Sequence, residues 1–344
     1  MLPITALAHP NIAFIKYWGN KNEGLRLPSN GSISMNLDGL ETRTTVQFED
    51  SLSADEVTIN GKLSHGDELQ RVSKFLEEVR KLAGIRQFAW VKSENSFPTG
   101  AGIASSASAF AALALAATRA AGLEISPDGE AAVHHEPPFD QAALSCLARR
   151  GSGSACRSIP GGFVEWAAGT NDRDSFASSI APPDHWDLVD CIALVSTDQK
   201  STGSSEGHAL AGTSLIQASR VEDAPRRLDI CRCAILERNF TSLAEIIEED
   251  SNLMHAVMMS SHPPLFYWQP ATLAVIMFVR EARAQGLQVC YTIDAGPNVH
   301  VICTAAAEVE TSRLLAGISG VQEIRSAKVG GAARLVENPS TPKD

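Results

Sequence analysis

At 344 residues the chain has room for one large or two ordinary domains, and its 44% hydrophobic content is that of a globular protein with a substantial core. A formal net charge of −11 excludes general binding to nucleic acid or anionic membranes, so any anionic ligand requires a local cationic pocket. Seven scattered cysteines, with no CxxC pair and only Cys231-x-Cys233 close together, exclude a disulfide framework and an evident metal site; they read as reduced, mostly buried thiols of a cytoplasmic protein.

The first residues, MLPITALAHPN, lack the basic region and long apolar run of a signal peptide. Residues 3–19 read as an apolar strand interrupted at His9-Pro10, carrying Asn11, Lys16, Tyr17 and Trp18. Residues 41–48 and 56–59 are of β type, and Asn60-Gly61 is a strong hairpin-turn signal. From Asp67 to Leu82, Leu69, Val72, Phe75, Leu76, Val79 and Leu82 recur on one helical face, and Gly84 ends the element.

The stretch Ser93–Ala121 organises the rest. A short apolar strand at Phe88–Val91 leads into a loop with Pro98, Gly100 and Gly102, then into an Ala-rich helix that Gly122 stops. A glycine-rich loop entering a helix presents unpaired N–H groups and the positive end of the helix dipole, and Ser105, Ser106 and Ser108 add hydroxyls there. The pattern is that of a phosphate seat. It is too polar for a membrane span, lacks the third glycine of a dinucleotide fingerprint, and has no Gly-Lys-Ser/Thr of a Walker loop. The competing reading is a small-residue helix packed in a core.

Residues 124–139 read as a loop or broken helix; the adjacent His134-His135 have no third ligand nearby and read as a surface feature. A helix over 140–149 empties into Arg149-Arg-Gly-Ser-Gly-Ser-Ala-Cys-Arg157-Ser158, where two glycines, Ser152 and Ser154 accompany Arg149, Arg150 and Arg157. Arginine's planar fork suits carboxylate or phosphate, so this run reads as an anion pocket in preference to a solvated turn.

Pro182-Pro183-Asp184 marks a plausible linker, dividing the chain into domains 1–184 and 185–336 with a mobile tail at 337–344. Residues 188–196 read as a strand, 197–214 as polar and Gly/Ser-rich, 222–260 as two helices and 270–284 as another. Strand 287–293 ends in Asp294-Ala-Gly-Pro-Asn298, followed by strand 299–303 and helix 306–316. Asp294 fits two roles, a turn-starter capping local N–H groups or a partly buried acid held for chemistry. Strands and helices mix throughout, giving an α+β class.

Four motifs in this order resemble the mevalonate diphosphate decarboxylases of the GHMP kinase superfamily: Asn11-Ile-Ala-Phe-Ile-Lys16-Tyr-Trp-Gly19, Phe97-Pro-Thr-Gly-Ala-Gly-Ile-Ala-Ser-Ser106, the Arg149–Ser158 run with Gly161-Gly162-Phe163, and Asp294–Asn298. The resemblance implies the GHMP fold, an N-terminal α/β domain and a ferredoxin-like C-terminal domain with the active site between them. It implies ATP-dependent decarboxylation of a 5-phosphorylated mevalonate: the 3-hydroxyl is phosphorylated, then phosphate and CO2 leave. By that resemblance Asp294 sits at the 3-hydroxyl, Arg157 positioned by Asn11 holds the carboxylate, and Lys16 completes the group. Ser93, Asn95, Pro98, Gly100, Gly102, Ser105 and Ser106 serve ATP, with Mg2+ at Ser106. Tyr17, Lys21, Ser152, Gly153, Ser154 and Ser204 serve the substrate's 5-phosphates. A homodimer with no nucleic-acid or membrane partner is the family expectation.

Two departures bear on the substrate. Asn20 follows Gly19 where the family carries Lys, and Ser205 aligns with a family Arg, with Glu206 beside it. A charge-assisted phosphate contact contributes ~1.5–3 kcal/mol, so losing two favours a monophosphate over a diphosphate. The alternatives from other classes are a kinase of mevalonate 3-kinase type that stops at phosphorylation, and a non-catalytic ligand sensor.

Overall fold

The computed structural model describes residues 2–97, 105–124, 139–198 and 202–336; Pro98, Gly100, Gly102, His134 and His135 lie outside them, as does the tail at 337–344. Two large sheets carry the architecture. The first has six strands in the order Arg334–Val336, Ile4–Ala8, Thr42–Glu49, Phe88–Asn95, Glu56–Ile59 and Lys62–Leu63. Its central strand Thr42–Glu49 alternates strictly, with Thr42, Thr44, Val46 and Phe48 buried, because one face packs on helices. The Asn60-Gly61 turn forms as expected, both residues at positive φ between paired strands.

Helix Ser105–Ala120 lies on that sheet against Ile4–Ala8 and Thr42–Glu49. Its Ala111, Ala112, Ala114, Ala116 and Ala117 are all fully buried; side chains this small let backbone approach backbone. Helices Gly66–Ala83 and Gln141–Gly151 pack beside it. At its first turn Ser108 Oγ meets Thr42 Oγ1 at 2.7 Å, which ties the helix start to the sheet.

The second sheet has eight strands, in the order Ala177–Ala181, Phe163–Trp166, Ser32–Asp38, Glu323–Val329, Leu188–Leu194, Val299–Thr304 and Val289–Thr292, with Asn11–Ile15 also paired to Ser32–Asp38. Helices cover both faces of its later strands. Leu188, Ile192 and Leu194 join a core with Ile235, Leu243 and Ile247, while Val189, Cys191 and Ala193 join another with Val275, Val279 and Leu315. All seven residues of Leu188–Leu194 are therefore buried, and its one charged member, Asp190, is met by His300 Nδ1 at 2.6 Å. This sheet crosses the 184/185 position, since Glu323–Val329 bridges Ser32–Asp38 and Leu188–Leu194. The strand Arg334–Val336 then returns to the first sheet and pairs with Ile4–Ala8.

The segment 3–19 splits into two strands, Ile4–Ala8 and Asn11–Ile15, that join different sheets. His9-Pro10 marks the crossing, and Lys16 directly follows the second of these strands. Within 197–214 the described residues include a short helix, Ser204–Leu210, which the polar composition did not announce.

Candidate active site

Two cavities adjoin at the start of helix Ser105–Ala120. The first, about 290 Å³, is lined by Lys16, Tyr17, Arg26, Arg71, Arg157 and Asp294 among others. The second, about 390 Å³, has mainly apolar walls including Val57, Ile59, Val91 and Leu113. Ser106 and Arg71 belong to both. A ligand with a flat apolar head and an anionic tail can therefore occupy the second cavity and reach into the first past a helix N-terminus.

The charged end of the first cavity is built from three separate elements. Lys16 is almost fully buried, and its Nζ donates to Asp294 Oδ1 at 2.6 Å. Burial lowers the Lys16 pKa, and the adjacent Asp294 carboxylate opposes that shift. Asp294 follows strand Val289–Thr292 by two residues and retains partial exposure, so it faces the cavity beside its partner.

Arg157 sits on the short 3-10 helix Gly153–Ser158, 3% exposed. Its Nε donates to Asn11 Oδ1 at 3.1 Å and its Nη1 to Ser32 Oγ at 2.6 Å. Asn11 in turn donates from Nδ2 to Ser158 Oγ at 2.8 Å and to the Ser154 carbonyl at 3.1 Å. A guanidinium oriented this way on an otherwise acidic protein is a ready carboxylate seat.

Tyr17, Ser152, Gly153, Ser154, Ser204 and Ser205 also line this cavity. The Tyr17 ring stacks on His208 with centroids 4.1 Å apart. Gly153 is required here because a Cβ would lie 2.6 Å from that ring, and its φ is not the left-handed one that turn chemistry would demand. His208 Nδ1 accepts from the Gly19 N–H at 2.9 Å, and burial pulls its pKa down to about 3, so it is a neutral wall at physiological pH.

Several sequence expectations change. Arg149 and Arg150 do not face the cavity: Arg149 is buried against Asp172 and the Leu25 carbonyl, and Arg150 pairs with Asp172 and Glu78. Acids elsewhere in the fold neutralise them, so of that run's three arginines only Arg157 lines the cavity. Lys21 is exposed, outside the cavity lining, with its ammonium on the Gly169 carbonyl. Asn20 accepts from the Tyr17 hydroxyl and donates to Glu23. Ser93, Asn95, Ser105 and Ser106 all line the second cavity.

Arg26, Arg71 and His208 were missed. Arg71 lies next to the apolar stripe of helix Gly66–Ala83, donates from Nη2 to the Gly151 carbonyl at 2.9 Å, and stands 4.6 Å over the Phe110 ring. Arg26 Nε donates to the Arg150 carbonyl at 3.2 Å. In sequence each looks like an ordinary surface cation; position beside a hydrophobic stripe was the one signal Arg71 offered.

Residues 8–177 match the diphosphomevalonate decarboxylase-like N-terminal domain and residues 191–339 the mevalonate 5-diphosphate decarboxylase C-terminal domain. The diphosphomevalonate decarboxylase of Candida albicans is 37% identical across 99% of this chain and 97% of its own. The one from Homo sapiens is 38% identical over 86% and 75%. Among solved structures, mevalonate diphosphate decarboxylase from Staphylococcus aureus superposes with TM-score 0.89 at 36% identity, covering 97% of this chain and 98% of the other. MDDEF in complex with MVAPP, AMPPCP and magnesium gives 0.88 at 39% identity, covering 98% and 99%.

Proposed function

The chain belongs to the diphosphomevalonate decarboxylase family of the GHMP superfamily, a family of ATP-dependent carboxy-lyases, and from that premise we propose that it decarboxylates a 5-phosphorylated mevalonate with ATP. The observation that carries this reading is the buried Lys16–Asp294 pair opening with Arg157 on one cavity, which meets an apolar cavity at Ser106.

In this reading Arg157, steadied by Asn11 and Ser32, takes the substrate carboxylate. Asp294 faces the 3-hydroxyl, accepts or orients its proton, and presents negative charge to the carbocation that develops at C3. Lys16 keeps the Asp294 carboxylate aimed and balances charge on the transferred phosphoryl group. Phosphorylation makes the 3-oxygen a leaving group; as it departs with its bonding pair, the C–C pair to the carboxylate becomes the double bond and CO2 leaves. Tyr17, Ser152, Ser154 and Ser204 line the end suited to the 5-phosphate.

The nucleotide fits the second cavity, with Ser93 and Asn95 as polar points on an apolar wall and the 105–106 N–H groups toward its phosphates. Mg2+ fits the hydroxyl of Ser106, a hard oxygen donor at the junction; when bound there with the phosphates it supplies charge neutralisation.

Within the class the cation inventory supports the monophosphate. Among described residues, the cavity's cations are Lys16, Arg26, Arg71 and Arg157. Lys16 is paired with Asp294, Arg157 serves the carboxylate, and Arg71 stands at the nucleotide junction, which leaves Arg26 for the 5-phosphate end. The diphosphate is the second reading, supported by the relatives' names and by Arg71 acting together with Arg26. The test incubates purified protein with ATP, Mg2+ and either mevalonate 5-phosphate or the 5-diphosphate, scoring CO2 and ADP. Equal CO2 and ADP support the decarboxylase, and the better substrate decides the phosphate number. ADP without CO2 points to a kinase, and no turnover on either substrate rejects the reading. A homodimer is the accompanying expectation, checked by light scattering.

A further inference from the structure

Lys16 is the first residue past strand Asn11–Ile15, whose pairing with Ser32–Asp38 ends at Ile15, so its own peptide is not held by the sheet ladder. A buried ionic group holds it instead. The Lys16 N–H donates to Asp250 Oδ2 at 2.6 Å, and the Lys16 carbonyl accepts from Arg220 Nη2 at 2.8 Å and Asn30 Nδ2 at 3.1 Å. Asp250 Oδ1 accepts from Arg227 Nε at 2.8 Å, and Arg227 Nη2 donates to the Arg220 carbonyl at 2.7 Å. Asp250 and Arg227 are fully buried, Arg220 is 3% exposed and Asn30 4%.

A buried ion cluster is a poor source of stability, because desolvation offsets most of its attraction. Its geometric precision is the better explanation for its presence. We propose that Asp250, with Arg220 and Arg227, positions Lys16: the cluster fixes the Lys16 peptide so that its ammonium meets Asp294. The cluster reaches in from helices Gln217–Glu222, Ala224–Glu237 and Phe240–Met259, so the last residues of an early strand are set by much later sequence.

The charges around Lys16 agree with this assignment. Asp294 and Asp250 both raise its pKa against the burial that lowers it, and Arg157 lowers it further. Arg220 sits on its carbonyl, and the nearby His255 is neutral, with a pKa drawn down to about 4 by burial first and then by Lys16 itself.

The proposal rests on the decarboxylase reading for its kinetic test and on Lys16 alone for its chemical one. The variants are Asp250→Asn, Arg220→Lys and Asn30→Ala, each checked for folding by circular dichroism. In Asp250→Asn, kcat at saturation is expected to fall about 10–100-fold with the ATP KM within about threefold, the signature of a displaced reacting group. The alkaline limb of the pH–rate profile, and the midpoint for acetylation of Lys16 by acetic anhydride followed by mass spectrometry, are expected to move down by roughly one pH unit. Arg220→Lys and Asn30→Ala lower kcat by smaller factors and decide the matter if Asp250→Asn does not fold. Folded variants with kcat within about twofold of the parent and an unmoved Lys16 midpoint overturn the assignment. If the parent turns over neither substrate while the Lys16 midpoint still shifts, the reaction reading fails and the positioning stands.

Discussion

The two adjoining cavities are built on opposite principles. The first is enclosed by side chains that have paid dearly for their burial: Lys16 against Asp294, Arg157 against Asn11 and Ser32, each fixed by partners from distant segments. The second is walled mainly by Val57, Ile59, Val72, Val91 and Leu113 on the face of a regular sheet and helix, with Ser93 and Asn95 among its polar points and Asp67, Glu68 and Arg71 also in its lining. Directional groups in a dry pocket distinguish one transition state from another, whereas an apolar slot holds any flat ring of the right size. The first cavity should therefore govern rate and the second affinity.

Breaking that division most severely, Asp294→Asn is expected to reduce kcat by about a thousandfold or more while the ATP KM changes only a few-fold. Steady-state kinetics with both substrates varied checks it, and a large loss of ATP affinity would assign Asp294 to structure instead. Arg157→Gln removes a charge-assisted carboxylate contact of ~1.5–3 kcal/mol, so kcat/KM for the mevalonate substrate should fall roughly 10–150-fold with nucleotide binding intact. Isothermal titration with an ATP analogue provides the control.

A titratable group also stands beside the Lys16–Asp294 pair. His255 donates from Nε2 to the Ile293 carbonyl at 3.3 Å, directly before Asp294, and its folded pKa of about 4 lies below the ordinary value of 6.5. The unfolded chain therefore binds the extra proton first as pH falls; the stability is fully present above about pH 6.5 and is lost through the window down to about pH 4. Between pH 7 and 5 the loss from this group is on the order of 2 kcal/mol. Denaturant melts at the two pH values measure it, and His255→Gln should flatten the slope. The smallest effect is expected at the apolar wall. Ile59→Ala should raise the ATP KM a few-fold, about 1 kcal/mol of lost apolar contact, with kcat at saturation unchanged.

The same contrast explains what the sequence disclosed. Helix Ser105–Ala120 and strands Thr42–Glu49 and Leu188–Leu194 follow from local periodicity and small-residue content, which burial then exploits. Asp294, Lys16 and Arg157 are legible because each sits in a motif with unusual neighbours, and all three line one cavity. Arg149 and Arg150 looked equivalent to Arg157, yet Asp172 and Glu78 claim them, and nothing in the local run announces partners that far away. Arg26, Arg71 and His208 are the converse, ordinary residues brought to the cavity by long-range packing. Ion pairing and cavity lining are properties of the assembled chain, so pattern alone misassigns them in both directions.

The pairing of Arg334–Val336 with Ile4–Ala8 has a consequence for biosynthesis. A ribosome has translated more than three hundred residues before the strand that covers this edge of the first sheet emerges. Until then the hydrogen-bonding groups along Ile4–Ala8 on that side stay available to any extended peptide, an opening for misassembly between nascent chains that chaperones would be needed to shield.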